Sequence, residues 1–146
     1  MMESSVAHAD ELCAAALNMA TGGEILRLVR VRLADDMPVA IETTEIPAHI
    51  APGLLDMADY AHESLYAILR SHFGVNPTSA EQTLMAALAA PGVGRTLGIA
   101  ENDPVLKLTR LTFDPRGNPF EYVRSVYRGD SFVMKVDLTL GATRYQ

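Results

Sequence analysis

The chain has 146 residues, of which 49% are hydrophobic and 21% charged, and its formal net charge is -6 at pH 7. This length predicts a single globular domain that buries about two-thirds of its unfolded surface, and the acidic balance argues against direct nucleic-acid binding, which depends on clustered Lys and Arg. One cysteine excludes an internal disulfide, and the lack of a membrane-length apolar run or basic leader predicts a cytosolic protein without a membrane partner.

The predicted elements alternate short helices with strand hairpins. Apolar residues every three to four positions predict helices, and runs rich in Val, Ile and Leu bounded by Gly, Pro or Asp predict strands. Residues 76–90 stay ambiguous, because their alanine content favours a helix whereas Thr83 and Pro77 leave a strand possible. In chain order we expect a helix at 10–19, strands at 25–33 and 39–46, a helix at 64–73, a helical turn near Pro91, strands at 104–113 and 119–127, and a last strand at 132–138.

The chain also repeats itself at an offset of eighty residues, with the run 17–30 aligned without a gap over 97–110. After one extra residue in the second copy, Pro38 lies over Pro119. Two copies are too few for a solenoid, which needs about three, so the repeat predicts one domain with two pseudo-symmetric halves. The same offset places a counterpart of the segment 76–88 before His8, where we expect a first strand that is absent, truncated or degraded.

Arg30 and Arg32 form the first candidate binding group. They lie two residues apart on a predicted strand, so both guanidinium groups project from one face. If the hairpin folds about Asp36, Glu42 lies opposite Arg30 and Ala40 lies opposite Arg32. A guanidinium fork matches a carboxylate or phosphate. The pair therefore predicts either an anion site or an exposed cross-strand ion pair worth about 0.2–1 kcal/mol.

Three further residues are candidates from their positions. Ser64 begins a predicted helix, where it either caps the helix or helps to place an anion against unpaired N–H groups. Glu121 and Tyr127 share strand parity and reach one sheet face, although a solvated carboxylate and a half-buried tyrosine would be equally ordinary there. The four histidines lack metal-ligand spacing and no nucleophile motif is present, so we expect no metal, no cofactor and no catalytic residue.

A larger pattern joins these candidates. It comprises the segments 29–35, 38–44 and 46–47, Ser64-Leu65-Tyr66 with Leu69, then Leu97-Gly98-Ile99, Pro104-Val105-Leu106, Arg110, Pro119, Glu121-Tyr122, Arg124-Ser125 and 127–130. Together these segments resemble the UTRA domain, the effector-binding domain of HutC-type regulators in the GntR family. The resemblance runs from about residue 11 to 138 and implies a single α+β domain of the chorismate-lyase type, with helices packed over a mostly antiparallel sheet.

The resemblance also implies a function without catalysis. It suggests a homodimeric sensor of a small anionic metabolite, of the sugar phosphate, carboxylate or phosphonate class, which modulates DNA binding by a winged-helix domain that this chain lacks. The alternatives are a small chorismate-lyase-like enzyme and a stand-alone module that forms mixed dimers with full-length regulators. By position, the resemblance implies that Arg30, Arg32 and Ser64 bind the anionic group of the ligand. It also implies that Glu42 and Glu121 bind the hydroxyl or amine groups of the ligand, and that Tyr127 lines the pocket.

Overall fold

Six strands form one antiparallel sheet in the computed structural model, which describes residues 2–57 and 64–137. The strands are β1 (Met2–His8), β2 (Glu24–Ala34), β3 (Met37–Pro47), β4 (Ser79–Leu88), β5 (Pro104–Phe113) and β6 (Pro119–Arg128). The helices are α1 (Glu11–Ala16), α2 (Leu54–Met57), α3 (Leu65–Phe73) and α4 (Pro91–Leu97), with a 3-10 turn at Ala48–Ile50.

The two halves of the chain have the same order of elements. The unit β1-α1-β2-β3 recurs as β4-α4-β5-β6, and the sheet order β1-β2-β3-β6-β5-β4 places the two units on either side of the central β3–β6 pair. Helix α1 contacts β6 and α4 contacts β3, so each half packs on the central strand of the other. The predicted α+β fold is confirmed, and the sequence repeat corresponds to a pseudo-two-fold axis between β3 and β6.

The strand registers divide the sheet residues between two faces. Paired residues on neighbouring strands point to the same side, so the row Arg30, Glu42, Ser125 defines the front face. The next row, which contains Arg27 and Glu45, points to the back face.

Each face has its own helices and its own apolar core. Helix α3 covers the front face of the first half, where strand and helix side chains form one buried cluster. Helix α1 covers the back face through a second cluster that includes the fully buried Cys13. The front cluster contains Leu26, Leu28, Ile46, Leu65, Ile68 and Leu69, and the back cluster contains Cys13, Ala14, Leu17 and Ile25.

Local signals account for most element boundaries. Asp10 caps α1 by accepting a 2.8 Å hydrogen bond from the Cys13 N–H, and Gly74 ends α3 in the left-handed conformation, with φ of 65°. Residues 35 and 36 also have positive φ, as a two-residue hairpin turn requires. The strands β2 and β3 therefore extend closer to the turn than the sequence predicts.

The ambiguous segment 76–90 forms strand β4, and the first strand is present. All ten residues of β4 pair with β5, and this cross-strand pairing outweighs the helix propensity of its alanines. The expectation of an absent or degraded first strand is wrong, because β1 is a regular seven-residue strand paired along its whole length with β2. It ends at His8, eighty residues before the end of β4.

The predicted last strand at 132–138 is also wrong for the residues that the structure describes. Residues 132–137 have no strand conformation, and Leu138 with the rest of the tail lies outside the described residues. Strand β6 is already flanked by β3 and β5, so a chain that turns directly after β6 finds no free edge beside it. Among the helices of the described ranges, none has the length and apolar character needed to cross a bilayer.

Candidate functional site

The predicted arginine pair lies on the front face of β2. Arg30 is paired with Glu42, and its Nη2 donates a hydrogen bond to Glu42 Oε1. Arg32 lies opposite Ala40 as predicted, is exposed, and is followed by a register shift in the β2–β3 ladder. Since no ion pair of Arg32 is found within the described ranges, Arg32 has a free guanidinium at the rim while Arg30 is already neutralised.

Glu121 lies deeper on the same face, and α3 helps to hold it. Its side chain is 2% exposed. Glu121 Oε2 accepts a 2.6 Å hydrogen bond from the Tyr66 hydroxyl and a 2.8 Å hydrogen bond from Thr112 Oγ1. Burial raises the pKa of Tyr66, and the hydrogen bond and negative charge of Glu121 raise it further, so Tyr66 stays a neutral donor.

Ser64 and Tyr127 lie at two other edges of this region. Ser64 is the N-cap residue of α3, but its side chain makes no capping hydrogen bond, so its exposed hydroxyl is free among the described residues. Tyr127 lies opposite Ala40 on the front face, and its ring centroid is 4.2 Å from that of Phe132. The capping alternative for Ser64 is therefore not realised by its side chain.

Four buried polar atoms on the front face lack a hydrogen-bond partner among the described residues. They are Arg30 Nε, Thr44 Oγ1, Arg110 Nε and Ser125 Oγ. More than about 90% of buried polar groups are normally paired, by protein or by ordered water. The unpaired donors and acceptors between Arg30 and Glu121 therefore mark a polar group that the described side chains leave unsatisfied.

Several residues of this site are missing from the predicted set. Tyr66, Arg110 and Ser125 enter the sequence pattern only through the family resemblance, and Thr44 and Thr112 have no predicted role. The repeat contained a signal for one of them, because Arg30 aligns with Arg110 at the eighty-residue offset. The alternation of side chains along a strand cannot predict the position of Tyr66, because Tyr66 lies on helix α3 and local sequence does not determine where α3 packs on the sheet.

A cavity of about 290 Å³ opens at the β5 side of this site. It is bounded by Tyr66, Arg110, Thr112 and the segment 77–80. A larger cavity of about 670 Å³ lies between the end of α1 and the β5–β6 loop. The carboxylate of Asp114 in that loop already accepts hydrogen bonds from the backbone N–H groups of Arg116 and Asn118. The smaller cavity thus adjoins one of the residues with an unpaired buried atom, Arg110, and the larger cavity adjoins none of them.

The back face carries a separate network of charges. Glu45 is fully buried and accepts hydrogen bonds from both Arg27 and Arg124, at 2.7–3.0 Å. Arg124 also donates to Asp10 at 2.9 Å, which connects β6 to the start of α1. Burial raises the pKa of Cys13 to about 12, and the adjacent Glu45 carboxylate adds to the rise. Every charge in this network has a partner, so the network holds the fold together.

Metal ligands are not clustered in the described part of the chain. No group of three or more His, Cys, Asp or Glu side chains lies close enough to hold an ion there. Of the four histidines, His62 lies outside the described residues.

Comparison with known proteins identifies the same region of sequence. The model of the UTRA domain family matches residues 1–133. The HTH-type transcriptional repressor NagR of Bacillus subtilis (strain 168) is 34% identical over 122 residues, which cover 84% of this chain and 49% of NagR. The HTH-type transcriptional repressor PhnF of Mycolicibacterium smegmatis is 37% identical, with the same two coverages. The chain therefore spans about half the length of the curated relatives that it matches.

A solved structure shows the same fold. The crystal structure of the effector domain of PhnF from Mycobacterium smegmatis superimposes with a TM-score of 0.86 and 33% identity. The match covers 94% of this chain and 84% of that domain.

Proposed function

The chain belongs to the UTRA domain family, the effector domains of HutC-type GntR regulators, and on that premise we propose that its front face binds a small anionic metabolite. Binding there would change DNA binding by a separate winged-helix domain in the cytoplasm. We propose that residues 1–146 form one ligand-binding domain. The observation that carries it is the group of buried, unpartnered polar atoms between Arg30 and Arg110.

The charges of the site indicate the chemistry of the ligand. Arg32 offers a free guanidinium fork, which suits a carboxylate, phosphate or phosphonate. Ser64 at the start of α3 can add a hydroxyl to the same group. Glu42 and Glu121 are buried acceptors, so the rest of the ligand should present hydroxyl or amine donors. A hydroxylated or aminated anion, such as a sugar phosphate, satisfies both requirements, and Tyr127 supplies an apolar wall.

Thermal unfolding in the presence of anions tests this site. Sugar phosphates, small carboxylates and phosphonates are screened, and a ligand at about 100 times its dissociation constant should stabilise the protein by about 2.7 kcal/mol. Arg32→Ala removes the free guanidinium and should weaken binding about tenfold, since a charged hydrogen bond contributes about 1.5–3 kcal/mol. At the same concentration the stabilisation then falls to about 1.4 kcal/mol.

Arg116→Ala is the matched control for this experiment. Arg116 is an exposed arginine in the β5–β6 loop, away from the front-face site, so its loss changes the net charge equally. We expect its ligand response to equal that of the wild type. If Arg32→Ala and Arg116→Ala respond alike to every anion that binds, the assigned site is incorrect.

We propose that the site binds without catalysis. The relatives reported above are transcriptional repressors, and the two buried carboxylates already serve as acceptors, Glu42 for Arg30 and Glu121 for Tyr66 and Thr112. Incubation of the purified protein with chorismate, followed by chromatography of the products, should show no turnover above the uncatalysed rate. Turnover that is lost in Arg32→Ala would establish the lyase alternative instead.

We also propose that the chain forms a homodimer through the edge strand β4. Nine of its ten residues are exposed, and Leu84, Met85 and Leu88 are 40%, 60% and 62% exposed. A long apolar edge strand is normally covered or paired, and an antiparallel pairing of two β4 strands would form a symmetric interface. Met85→Lys should shift the sedimentation coefficient from dimer to monomer, whereas Val6→Lys on the other edge should leave it unchanged.

A further inference from the structure

The four unpartnered polar atoms of the front face form two pairs related by the pseudo-two-fold axis. Arg30 and Arg110 are equivalent at an offset of eighty residues. Thr44 and Ser125 are equivalent at eighty-one, which includes the extra residue of the second copy. Both pairs lie on neighbouring register positions of β2, β3, β6 and β5. The unsatisfied polar groups are therefore arranged around the axis rather than scattered.

The two arginines differ in what lies across from them. Arg30 faces Glu42, which neutralises it, whereas Arg110 faces the apolar Val123. Within the residues that the structure describes, no hydrogen bond or ion pair of the Arg110 side chain is found, and its Nε is buried. A partly buried, unpaired guanidinium is costly unless an anion accompanies it. The second half of the chain thus retains the cation of the repeat, with Val123 at the position of the carboxylate that pairs with it in the first half.

Polar side chains surround Arg110, among them the two hydroxyl donors of Glu121. Arg110 borders the 290 Å³ cavity together with Tyr66 and Thr112. Gln82, its partner on β4, lies on the same face and offers an amide. The Arg110 cation and the hydroxyl-bearing Tyr66 and Thr112 thus line one opening.

We propose that Arg110 is a second anion-binding residue of the front-face site, so that the effector carries two separated acidic groups, one held near Arg32 and one at Arg110. This inference rests on the proposed function and extends it. Arg32 and Arg110 are separated by three strand spacings across the sheet, about 14 Å, and by four residues along the strands, about 13 Å. One acidic group cannot contact both ends of the site, whereas a small metabolite with an acidic group at each end can.

Inorganic phosphate can be titrated as a probe for both subsites. Its binding is followed by the side-chain Nε–Hε signals of arginine in two-dimensional NMR. In the wild type the Arg32 and Arg110 signals should both shift and saturate, with two phosphates bound per chain. Arg110→Gln should weaken phosphate binding at the Arg110 end, read from the amides of residues 110–112, at least tenfold. Binding at the Arg32 end should change less than twofold.

Lys107→Gln is the matched control, because Lys107 is exposed on the opposite face of the same strand. Its substitution removes the same positive charge as Arg110→Gln. It should leave both affinities within twofold. Arg110→Lys retains the charge without the fork and should keep intermediate affinity. It also preserves the test if the glutamine variant unfolds.

The outcomes separate the inference from the proposed function. Saturation at the Arg32 end with an unmoved Arg110 signal would overturn the second subsite and leave the effector site intact. Shifts at Arg110 no more saturable than those of the exposed Arg116 would overturn it equally. If neither end responds, both proposals fail.

Discussion

The two faces of the sheet both bury charged residues, but they differ in how those residues are satisfied. On the back face, the carboxylate of Glu45 forms ion pairs with Arg27 and Arg124. Arg124 also forms an ion pair with Asp10, the N-cap residue of α1. On the front face, four buried polar atoms have no partner among the described residues. A completed network stabilises one arrangement of strands and helix. An incomplete one keeps donors and acceptors available for a ligand, at a cost in stability.

The largest effect is expected from Glu45→Gln on the back face. Removing the carboxylate leaves Arg27 without its partner and Arg124 with Asp10 only, and the loss of one partner from a buried ion pair costs about 3–5 kcal/mol. Urea denaturation should show a midpoint lowered accordingly. Glu81→Gln, an exposed carboxylate on β4, should change stability by less than about 0.5 kcal/mol. Equal effects of the two variants would remove the contrast between the faces.

An intermediate effect with the opposite sign is expected from Thr44→Val on the front face. The Thr44 hydroxyl is buried without a partner, so its replacement by a methyl group should stabilise the unliganded protein by about 1 kcal/mol. The same change should weaken effector binding. Stability is measured by urea denaturation without ligand, and affinity by calorimetry.

Thr112→Val sharpens this prediction on the same face. Thr112 donates to Glu121, so the valine variant should destabilise the protein by about 1–2 kcal/mol. Opposite signs for the two substitutions would show that unpaired and paired hydroxyls coexist within one site. If Thr44→Val destabilises as much as Thr112→Val, the Thr44 hydroxyl has a partner in solution.

The smallest effect is expected from Asp10→Asn at the exposed end of the back-face network. The hydrogen bond from the Cys13 N–H, and then Arg124, lower the pKa of Asp10 from its ordinary value of 3.8. Asp10 therefore contributes stability above that value, and the contribution is lost as pH falls through the lower folded pKa. Asparagine caps equally well, so the variant should lose at most about 1 kcal/mol at pH 7.

Urea midpoints between pH 7 and pH 2 provide the measurement for Asp10. Wild type and Asp10→Asn should converge at the acid end, because the wild-type carboxyl is then protonated. A constant difference at every pH would assign the effect to capping geometry instead.

The sequence predicts most of the sheet, and it predicts the strand positions of the candidate site residues but not their contacts with α3. The β2–β3 register follows from the Asp36 turn, so the Arg30–Glu42 and Arg32–Ala40 pairs and the shared face of Glu121 and Tyr127 are confirmed. Strand parity can show which side a residue occupies, but it cannot show which residue of a helix reaches that side. Tyr66 was therefore missed, although its hydroxyl holds Glu121. Pairing with β5 likewise decided the conformation of β4.

Each central strand contributes adjacent residues to both faces. Thr44 and Glu45 are consecutive on β3, and Arg124 and Ser125 are consecutive on β6, so residues of the front-face polar group and of the back-face ionic network alternate along the same backbone. A one-residue slip between these strands would turn Arg124 to the front face and Ser125 to the back face. The side chains of both faces therefore depend on the same register between β3 and β6. An insertion or deletion within either strand would therefore disrupt the back-face ionic network and the front-face polar group together.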